Sequence, residues 1–437
     1  MYACPNCGGN IKFDISSQKL DCEYCHTQLD VYHYEDKTPA TEKQTEFDAT
    51  VFSCPQCGGE ILSTDTSAAE FCTFCGASTI LHSRLTQEKR PNYIIPFQKT
   101  KEDCKQAYSK MMKKAIFAPT ALKNPKYIDG FRGIYMPYWA FYLTQEGNFS
   151  LNGSRSKRRG DYIYTDHYAL TGEIEAYYKG LSYDASSSFD DAISEKIAPY
   201  DVKGMKEFTP AFLSGFYADT ADVSSDTYKN DAESIAIRNS TSAIYSKFPG
   251  INVEPLLSTD SLNTKVKEVD SAMFPVWFMS YRNAGRVAYA TVNGQTGKVV
   301  ADLPIDTRKY LLGSLALALP IFLILNLIFT ITPLILLIIT AILATISIII
   351  YSAETAAIKQ KEPLKMKKAP LFSSIFAVIA CVIIAVLQPA SDIFYYGAVI
   401  LSLLAICYSF KDIITYYNIL ATRRLPQFDR TGGDDRA

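Results

Sequence analysis

Apolar residues dominate the C-terminal part of the chain. Residues 310–353 include no Asp, Glu, Lys, Arg or His, and two further charge-free runs cover residues 369–391 and 393–410. A single helix over the first run would be about 66 Å long, roughly twice the thickness of the hydrocarbon core of a bilayer. That run therefore predicts two crossings, with a reversal near residues 330–333 where a proline interrupts the Leu/Ile pattern. We expect four transmembrane helices, paired as hairpins over residues 310–353 and 369–410.

Basic residues flank these runs unevenly. Five lysines lie in the predicted loop 354–368, and further Lys and Arg residues precede the first run and lie in the tail 411–437. The two connections inside the hairpins contain no Lys or Arg. Because basic segments stay in the cytoplasm, this pattern places both ends of the membrane region inside the cell. The runs also lack the ionisable residues that mark an ion pathway, which argues against a transporter.

The middle of the chain contains one pattern twice. Residues 136–139 (MPYW) are echoed 138 positions later by residues 274–277 (FPVW). Each run opens an aromatic, strand-like segment that is followed by a polar turn, predicted at residues 145–147 and 282–285. We expect a β-hairpin in each half, and a third strand after a turn at residues 293–298.

Upstream of each hairpin the pattern predicts a strand and then a helix. The strands are expected at residues 93–97 and 211–217. Thr100 and Asp103 form a capping-box pattern at the start of the first helix, and apolar residues at helical spacing from Ile237 to Phe248 predict the second. The predicted fold class is α+β, with one repeat at residues 84–200 and another at 201–307. The two tryptophans are interpreted as core residues under a sheet.

Eight of the eleven cysteines lie in four Cys-x-x-Cys pairs near the N-terminus. Fourteen residues separate the two pairs of each set, and a shift of fifty positions converts the first set into the second. This spacing is typical of zinc ribbons, in which two tight turns place four thiolates around one ion. The predicted metal ligands are Cys4, Cys7, Cys22 and Cys25 in ribbon 1, and Cys54, Cys57, Cys72 and Cys75 in ribbon 2.

Ribbon 1 is expected over residues 1–33 and ribbon 2 over residues 51–83, with a linker at 34–50. Two structural Zn²⁺ ions should supply the folding energy that such short segments cannot obtain from an apolar core. Disulfide pairing is the alternative and fits poorly, since no signal sequence precedes the cysteines and a reducing cytosol is expected. His26 and His33 are not assigned as ligands. Cys104, Cys381 and Cys407 are interpreted as packing residues.

The overall charge gives no reason to expect a polyanionic partner. Lys and Arg number 44 against 45 Asp and Glu, so nucleic-acid binding would depend on a local patch. The basic cluster at residues 155–159 is interpreted as a solvated loop, a contact for anionic lipid headgroups, or a contact for nucleic-acid phosphate. Ribbon 2 has no Lys or Arg between its outer cysteines. His167 and Glu173 lack a neighbouring nucleophile pattern, and the sequence contains no catalytic or phosphate-binding motif.

Several motifs together resemble a known family. They are the Cys-Pro-x-Cys-Gly-Gly turns and the segments at 93–97 (YIIPF), 133–139 (GIYMPYW), 274–277 (FPVW) and 293–298 (NGQTGK). The chain resembles, over most of its length, the bacterial TFIIB-type zinc-ribbon membrane proteins, which include YdjG-like proteins encoded beside a phage-shock PspA homologue. The resemblance implies a membrane anchor of an envelope-stress complex that recruits a PspA-type protein. Such proteins are often labelled primosomal helicase-like, but no helicase nucleotide motif occurs in this sequence.

The sequence favours a non-enzymatic scaffold in the cell membrane, with the ribbons, the α+β region and the C-terminus in the cytoplasm. Its expected contacts are membrane lipids, a protein partner at the inner leaflet, and other subunits through the transmembrane helices. Nucleic-acid binding by the ribbons is the alternative function. A membrane enzyme is a third class, but the sequence lacks residues to carry it, and His167 is interpreted as a hydrogen-bonded core residue.

Overall fold

The structure is a computed structural model that describes residues 2–33, 45–64, 72–77, 82–254, 262–283, 285–328, 332–361 and 365–426. The predicted α+β class is confirmed, with two cysteine clusters at the N-terminal end, a sheet-rich region and C-terminal apolar helices. Linker residues 34–44 and the expected reversal at 329–331 lie outside the described residues. The domain boundaries stay predictions.

Strands make up most of the region before the C-terminal helices. Ribbon 1 holds a small antiparallel sheet of β1 (Ile11–Asp14), β2 (Lys19–Cys22) and β3 (Gln28–Leu29). The remaining described strands belong to one large sheet, and they are β4 (Glu46–Ser53), β5 (Glu60–Ser63), β6 (His82–Lys89), β7 (Tyr93–Ile94), β8 (Arg132–Arg159), β9 (Tyr162–Asp184), β10 (Lys206–Glu207), β11 (Tyr217–Ala218), β12 (Asn252–Val253), β13 (Thr264–Asn283), β14 (Arg286–Asn293), β15 (Val299–Ala301) and β16 (Arg423–Arg424).

Helices cover the sheet and form the C-terminal region. The helices of the sheet-rich region are α1 (Lys101–Lys114), α2 (Pro125–Ile128), α3 (Asp191–Ile197) and α4 (Lys229–Ser246), with 3-10 turns at Thr120–Lys123, Val202–Gly204, Pro210–Leu213 and Ser225–Tyr228. The C-terminal helices are α5 (Thr307–Ile328), α6 (Pro333–Lys361), α7 (Ala369–Leu387) and α8 (Asp392–Leu420). The predicted capping box is present at α1, where Thr100 accepts from the Asp103 N–H and Asp103 accepts from the Thr100 N–H.

The two repeats meet at the centre of the large sheet. Strands β8 and β13 pair antiparallel, and Met136 is the register partner of Phe274. These two residues occupy equivalent positions of the sequence repeat, so a local two-fold relationship passes between the strands. The indole N–H groups obey the same relationship: Trp139 donates to the Val223 carbonyl and Trp277 to the Lys99 carbonyl, both at 2.8 Å. Each carbonyl immediately precedes the N-cap residue of a helical segment.

Two expectations for the sheet region are wrong. Strand β8 continues through residues 145–147, and its turn to β9 lies instead at Gly160 and Asp161. Gln145 looks like a turn residue in the sequence, but it is fully buried and donates to Thr264 Oγ1 at 2.8 Å. Residues 211–217 contain mainly a 3-10 turn, and only Tyr217 belongs to a strand. The second hairpin turns near Gly285 as expected.

Among the described residues, three helices are long and apolar enough to cross a membrane, namely α6, α7 and α8. The apolar helix α5 precedes them, and several of its last side chains lie outside the described residues, so the count of four spans stays a prediction. Helices α6 and α8 extend beyond the expected ends at 353 and 410. Cys381 is buried, as is Cys104, whereas Cys407 is exposed and the packing role expected for it is wrong.

Polar contacts join α7 and α8, two of the three candidate spanning helices. Ser374 of α7 hydrogen-bonds Ser409 of α8 at 3.0 Å, and Cys381 contacts Ser402 at 3.1 Å. These side chains are small, so the helix backbones can approach closely, as is common in membrane helix packing. The helices therefore form a bundle that is held by more than apolar contacts.

Candidate metal centres and binding surfaces

The eight predicted ligands form two compact sulfur clusters. In each cluster the four Sγ atoms lie within 4.8 Å of one another. Sulfur–sulfur distances are 3.5 Å for Cys4–Cys25 and Cys7–Cys22, 3.8 Å for Cys54–Cys75 and 3.7 Å for Cys57–Cys72. Four sulfurs bound tetrahedrally at about 2.3 Å from a zinc ion would lie about 3.8 Å apart. Both clusters can therefore hold a metal ion, and their size is compatible with zinc.

Glycine at the first turn of each ribbon adopts a left-handed backbone conformation. Gly8 has φ +71° and Gly58 has φ +77°, in the left-handed region that glycine enters without a steric cost. This turn directs main-chain N–H groups toward sulfur, and the Gly59 N–H donates to Cys57 Sγ at 3.4 Å. Such hydrogen bonds favour the thiolate form that binds a metal.

A comparison of the second Cys-x-x-Cys turns of the two ribbons shows which position His26 occupies. Gly76 has φ +70° in ribbon 2, and the equivalent residue of ribbon 1, fifty positions earlier, is His26 with φ +53°. His26 thus occupies a turn position that favours glycine. Its Nδ1 lies 3.8 Å from Asp21 Oδ2, and the four-residue metal cluster of this ribbon consists of cysteines alone.

A second layer of polar groups supports one ligand of ribbon 1. The Thr27 hydroxyl lies 3.1 Å from Cys25 Sγ, and Asn6 Nδ2 donates to Thr27 Oγ1 at 2.9 Å. Since Asn6 occupies a lone pair of that oxygen, the hydroxyl hydrogen is free to point at sulfur. The hydrogen bond from the Thr27 side chain, with one from its main chain, lowers the pKa of Cys25 to about 6. Sequence reasoning missed Thr27, although its place two residues after the last ligand was a usable signal.

The two clusters differ in their exposure to solvent. Ribbon 1 buries Cys4 and Cys22 but exposes Cys7 and Cys25, whereas all four cysteines of ribbon 2 are buried. Both ribbons pack on the sheet region. Phe13 of ribbon 1 packs edge-on against Phe212, with the ring centroids 5.2 Å apart. In ribbon 2, the Phe74 carbonyl accepts a hydrogen bond from the Tyr289 hydroxyl at 2.8 Å. The ribbons are therefore fixed parts of a larger folded unit.

Comparisons with known proteins identify a shorter relative that aligns over most of its own length. The chain is 33% identical over 315 residues to the uncharacterized protein YdjG of Bacillus subtilis (strain 168), and the alignment covers 70% of this chain and 91% of that protein. The chain belongs to the YdjG family. No protein-family model and no solved structure matches it. Two cysteine clusters consistent with zinc ribbons fit the family resemblance, while the TFIIB-type assignment and the PspA association stay predictions.

A β-arm projects from the sheet of this YdjG-family chain. The far part of β8 pairs on one side with β12, at Gly153 and Ser154. Beyond that point, five residue pairs, from Arg155–Asp166 to Arg159–Tyr162, join β8 to β9 as a two-stranded ribbon. At about 3.4 Å per residue this arm extends about 17 Å past the neighbouring strands that the structure describes. The basic cluster at residues 155–159 therefore lies in a strand, which corrects the interpretation as a loop.

One face of the arm is both basic and aromatic. Residues that are paired across an antiparallel ribbon point to the same face, and every second residue shares that face. The face therefore carries Arg155, Lys157, Arg159, Tyr162, Tyr164 and Asp166. Tyr162, at the tip of the arm, is 72% exposed, and Tyr164, the next tyrosine on this face, is 58% exposed. His167 and Glu173 lie farther along β9 as exposed residues, and neither joins a metal cluster.

The sheet is joined to the membrane helices at the opposite end of β8. Arg286 of β14 donates to the carbonyls of Ile419 and Thr422 at the end of α8. Arg423 then binds Asp190 through two hydrogen bonds, at 3.0 and 3.1 Å, and also pairs with Asp302. In the sequence, Arg423 counts only as one of the basic residues of the tail that predict a cytoplasmic position. Its structural partners could not be recognised there, because they are far away in the chain.

Proposed function

We propose that this protein is a non-enzymatic, membrane-anchored zinc-ribbon scaffold that recruits a protein partner at the cytoplasmic face. Both sulfur clusters hold structural Zn²⁺ in this proposal. Four thiolates around each ion would leave no position for a reactive water, which supports a structural role for the metal. The ribbons pack against the sheet, so zinc would stabilise the surface that the scaffold presents.

The proposed topology has four crossings, formed by helices α5 to α8. The segment before α5 and the segment after α8 both contact the same sheet, and β16 pairs with β14. Two ends on one side require an even number of crossings, which supports the inclusion of α5. The lysines between α6 and α7 favour a cytoplasmic position for this side.

The basic and aromatic arm is the observation that carries the recruiting role. Strand β8 begins at Arg132, opposite Phe278, and runs away from the β13–β14 turn that adjoins α8. The arm therefore extends away from the membrane helices, which favours a cytoplasmic partner over headgroups of the same bilayer. Exposed tyrosines beside basic residues are typical of protein contact surfaces. We infer a partner with an acidic surface, and a PspA-type protein is the candidate that the family resemblance supplies.

Direct binding tests this proposal. The full chain is reconstituted in nanodiscs, and its affinity for the purified PspA-type protein of the same organism is measured. The arm variant Arg155→Gln/Lys157→Gln/Arg159→Gln should weaken binding at least about tenfold, because three charges at a contact surface are removed. The control Lys229→Gln/Lys247→Gln/Lys267→Gln removes three exposed charges elsewhere on the same region and should bind like the wild type. Equal affinity of both variants, or no binding by the wild type, would refute the recruiting role.

Nucleic-acid binding is the second candidate, and the same arm is the feature that favours it. Basic residues alternating with tyrosines can contact phosphates and stack on bases. Ribbon 2 offers little for this purpose, because its cysteines are buried against the sheet. Binding of single-stranded DNA that weakens steeply with salt, and that the arm variant abolishes, would favour this candidate over the scaffold.

A further inference from the structure

A pocket of about 750 Å³ lies at the end of strand β9, between helices α3 and α4. This volume is in the range of small-molecule sites. Four carboxylates line the pocket against one guanidinium group, and the lining acids are Asp184, Asp191, Glu195 and Asp231, with Arg238 as the base. The local charge is therefore strongly negative, although the net charge of the whole chain is only -1.

One of these carboxylates is buried without a full set of partners. Asp184, the last residue of β9, is 5% exposed, and its Oδ1 atom has no hydrogen-bond partner in the described structure. A buried carboxylate oxygen without a donor is costly, so its presence in a pocket wall points to a ligand that donates. Burial raises the pKa of Asp184 to about 7; a hydrogen bond from Ser194 opposes this shift and the charge of Asp191 adds to it. A cationic donor beside Asp184 would lower this pKa again, because it favours the carboxylate form.

Tyrosines complete the pocket wall. Tyr183 and Tyr228 stack with ring centroids 5.1 Å apart and an angle of 14° between the planes. The Tyr183 hydroxyl is a second buried group without a hydrogen-bond partner in the described structure. Tyr138 is held in place by a 2.8 Å hydrogen bond with Ser194. Aromatic faces beside carboxylates are suited to organic cations, because the ring quadrupole attracts positive charge.

The spacing of the acids distinguishes between kinds of cation. Within the described residues, groups of three or more metal-ligating side chains with atoms inside 4.8 Å of one another occur only at the two cysteine clusters. No three of the pocket carboxylates lie close enough to share one ion, which disfavours Ca²⁺, an ion that takes six to eight oxygen ligands. A flexible chain with several ammonium groups can instead contact separated carboxylates one at a time.

We propose that this pocket binds a small aliphatic polyamine, with Asp184 as the buried anchor and Asp231, Asp191 and Glu195 as contacts for the remaining ammonium groups. The stacked pair Tyr183–Tyr228 covers the methylene chain. The outer edge of β9 adds main-chain carbonyls as acceptors, since β9 pairs only with β8 among the described strands. This site is independent of the proposed scaffold function and of both metal clusters.

Calorimetric titration of the full, zinc-loaded chain in nanodiscs with spermidine tests the proposal. The wild type should show saturable binding with one site per chain. Asp184→Asn, which keeps the shape of the side chain, should weaken binding about tenfold or more, and Asp231→Asn, an exposed site that cannot disturb the core, should weaken it severalfold. Arg238→Gln should strengthen binding, because it removes the opposing positive charge.

The matched control is Glu175→Gln, an exposed acid on the same strand nine positions away. It should bind spermidine like the wild type. Loss of affinity in this control equal to the loss in Asp231→Asn would reduce the effect to general charge attraction and overturn the proposal. Competition by millimolar Mg²⁺ at constant ionic strength would indicate a divalent-cation site instead. Tighter binding of a lysine-rich peptide than of spermidine would reassign the pocket to a protein partner.

Discussion

Ile305 and Asn418 exchange two hydrogen bonds that join the start of α5 to the end of α8. The Ile305 N–H donates to Asn418 Oδ1 at 2.7 Å, and Asn418 Nδ2 donates to the Ile305 carbonyl at 2.8 Å. Ile305 precedes α5, and Asn418 lies in the last turn of α8. Because the two residues touch, the start of α5 and the end of α8 lie together, as the proposed even number of crossings requires.

This contact predicts the labelling pattern of the loops. An impermeant maleimide applied to intact cells should label Thr332→Cys, before α6, and Ala390→Cys, between α7 and α8. It should not label Lys365→Cys, between α6 and α7. Each variant is compared with the parent chain, which carries the native cysteines. A chain in which only α6, α7 and α8 cross would give the opposite pattern, with Lys365→Cys labelled and the other two protected.

Removal of the Thr27 hydroxyl should weaken metal binding at ribbon 1 alone. Without its hydrogen bond to Cys25, the thiolate is less favoured and protons compete better for the sulfur. Thr27→Val is expected to lower the zinc affinity of ribbon 1 about tenfold, as loss of a supporting hydrogen bond does at other metal sites. The loss should grow as the pH falls toward 6. A zinc-chelator competition that affects both sites equally would contradict this assignment.

Zinc should leave the two ribbons at different rates. Cys7 and Cys25 are exposed in ribbon 1, whereas all four ligands of ribbon 2 are buried, so a chelator can attack the first site directly. Release followed with a colorimetric zinc indicator should have two phases of equal size. Cys25→Ser should remove the fast phase and leave the slow one. A single phase, or loss of the slow phase in this variant, would show that exposure does not control release.

Arg423 should stabilise the junction between the sheet and the helices, while its neighbour Arg424 should not. Arg423 pairs with two partly buried aspartates, Asp190 and Asp302, and lies 5.4 Å from the ring centre of Tyr289. Arg423→Met leaves both aspartates without a cationic partner and should lower the free energy of unfolding by about 2 kcal/mol. Arg424 is exposed, so Arg424→Met is the matched control. Thermal unfolding in detergent should give a lower Tm for the first variant only.

Asp219 should make stability depend on pH. It is buried, and burial raises its pKa to about 6 despite hydrogen bonds from Ser186 and Ser188. Between about pH 4 and pH 6 the folded chain keeps a proton that the unfolded chain has lost, so stability falls as the pH rises through this window. Asp219→Asn removes that loss and should be more stable than the wild type by about 2 kcal/mol at pH 7. The difference should vanish below about pH 4, and parallel stability curves would contradict the assignment.

The long β8–β9 hairpin illustrates where the sequence pattern misleads. Residues 145–147 are polar and end in glycine, which is the ordinary signature of a turn. In the folded chain Gln145 contacts Thr264 and Tyr178, which are distant in sequence, and Gly147 pairs with Ile174 inside the ladder. A buried polar side chain whose partners come from other strands has no local signal, so the turn was expected about fourteen residues too early.

Local chemistry determined several features by itself. The spacing of the cysteines is enough to define both cysteine clusters, because two thiols on one tight turn must converge. The capping box at Thr100 and the long apolar runs likewise depend on neighbours in the sequence alone. The tertiary structure decided everything that needs distant partners: the pairing of Met136 with Phe274, the partial exposure of one cysteine cluster and the burial of the other, the acidic pocket around Asp184, and the contact between Ile305 and Asn418. Each of these features depends on which surfaces pack together and exclude water. This is decided only when the whole chain folds.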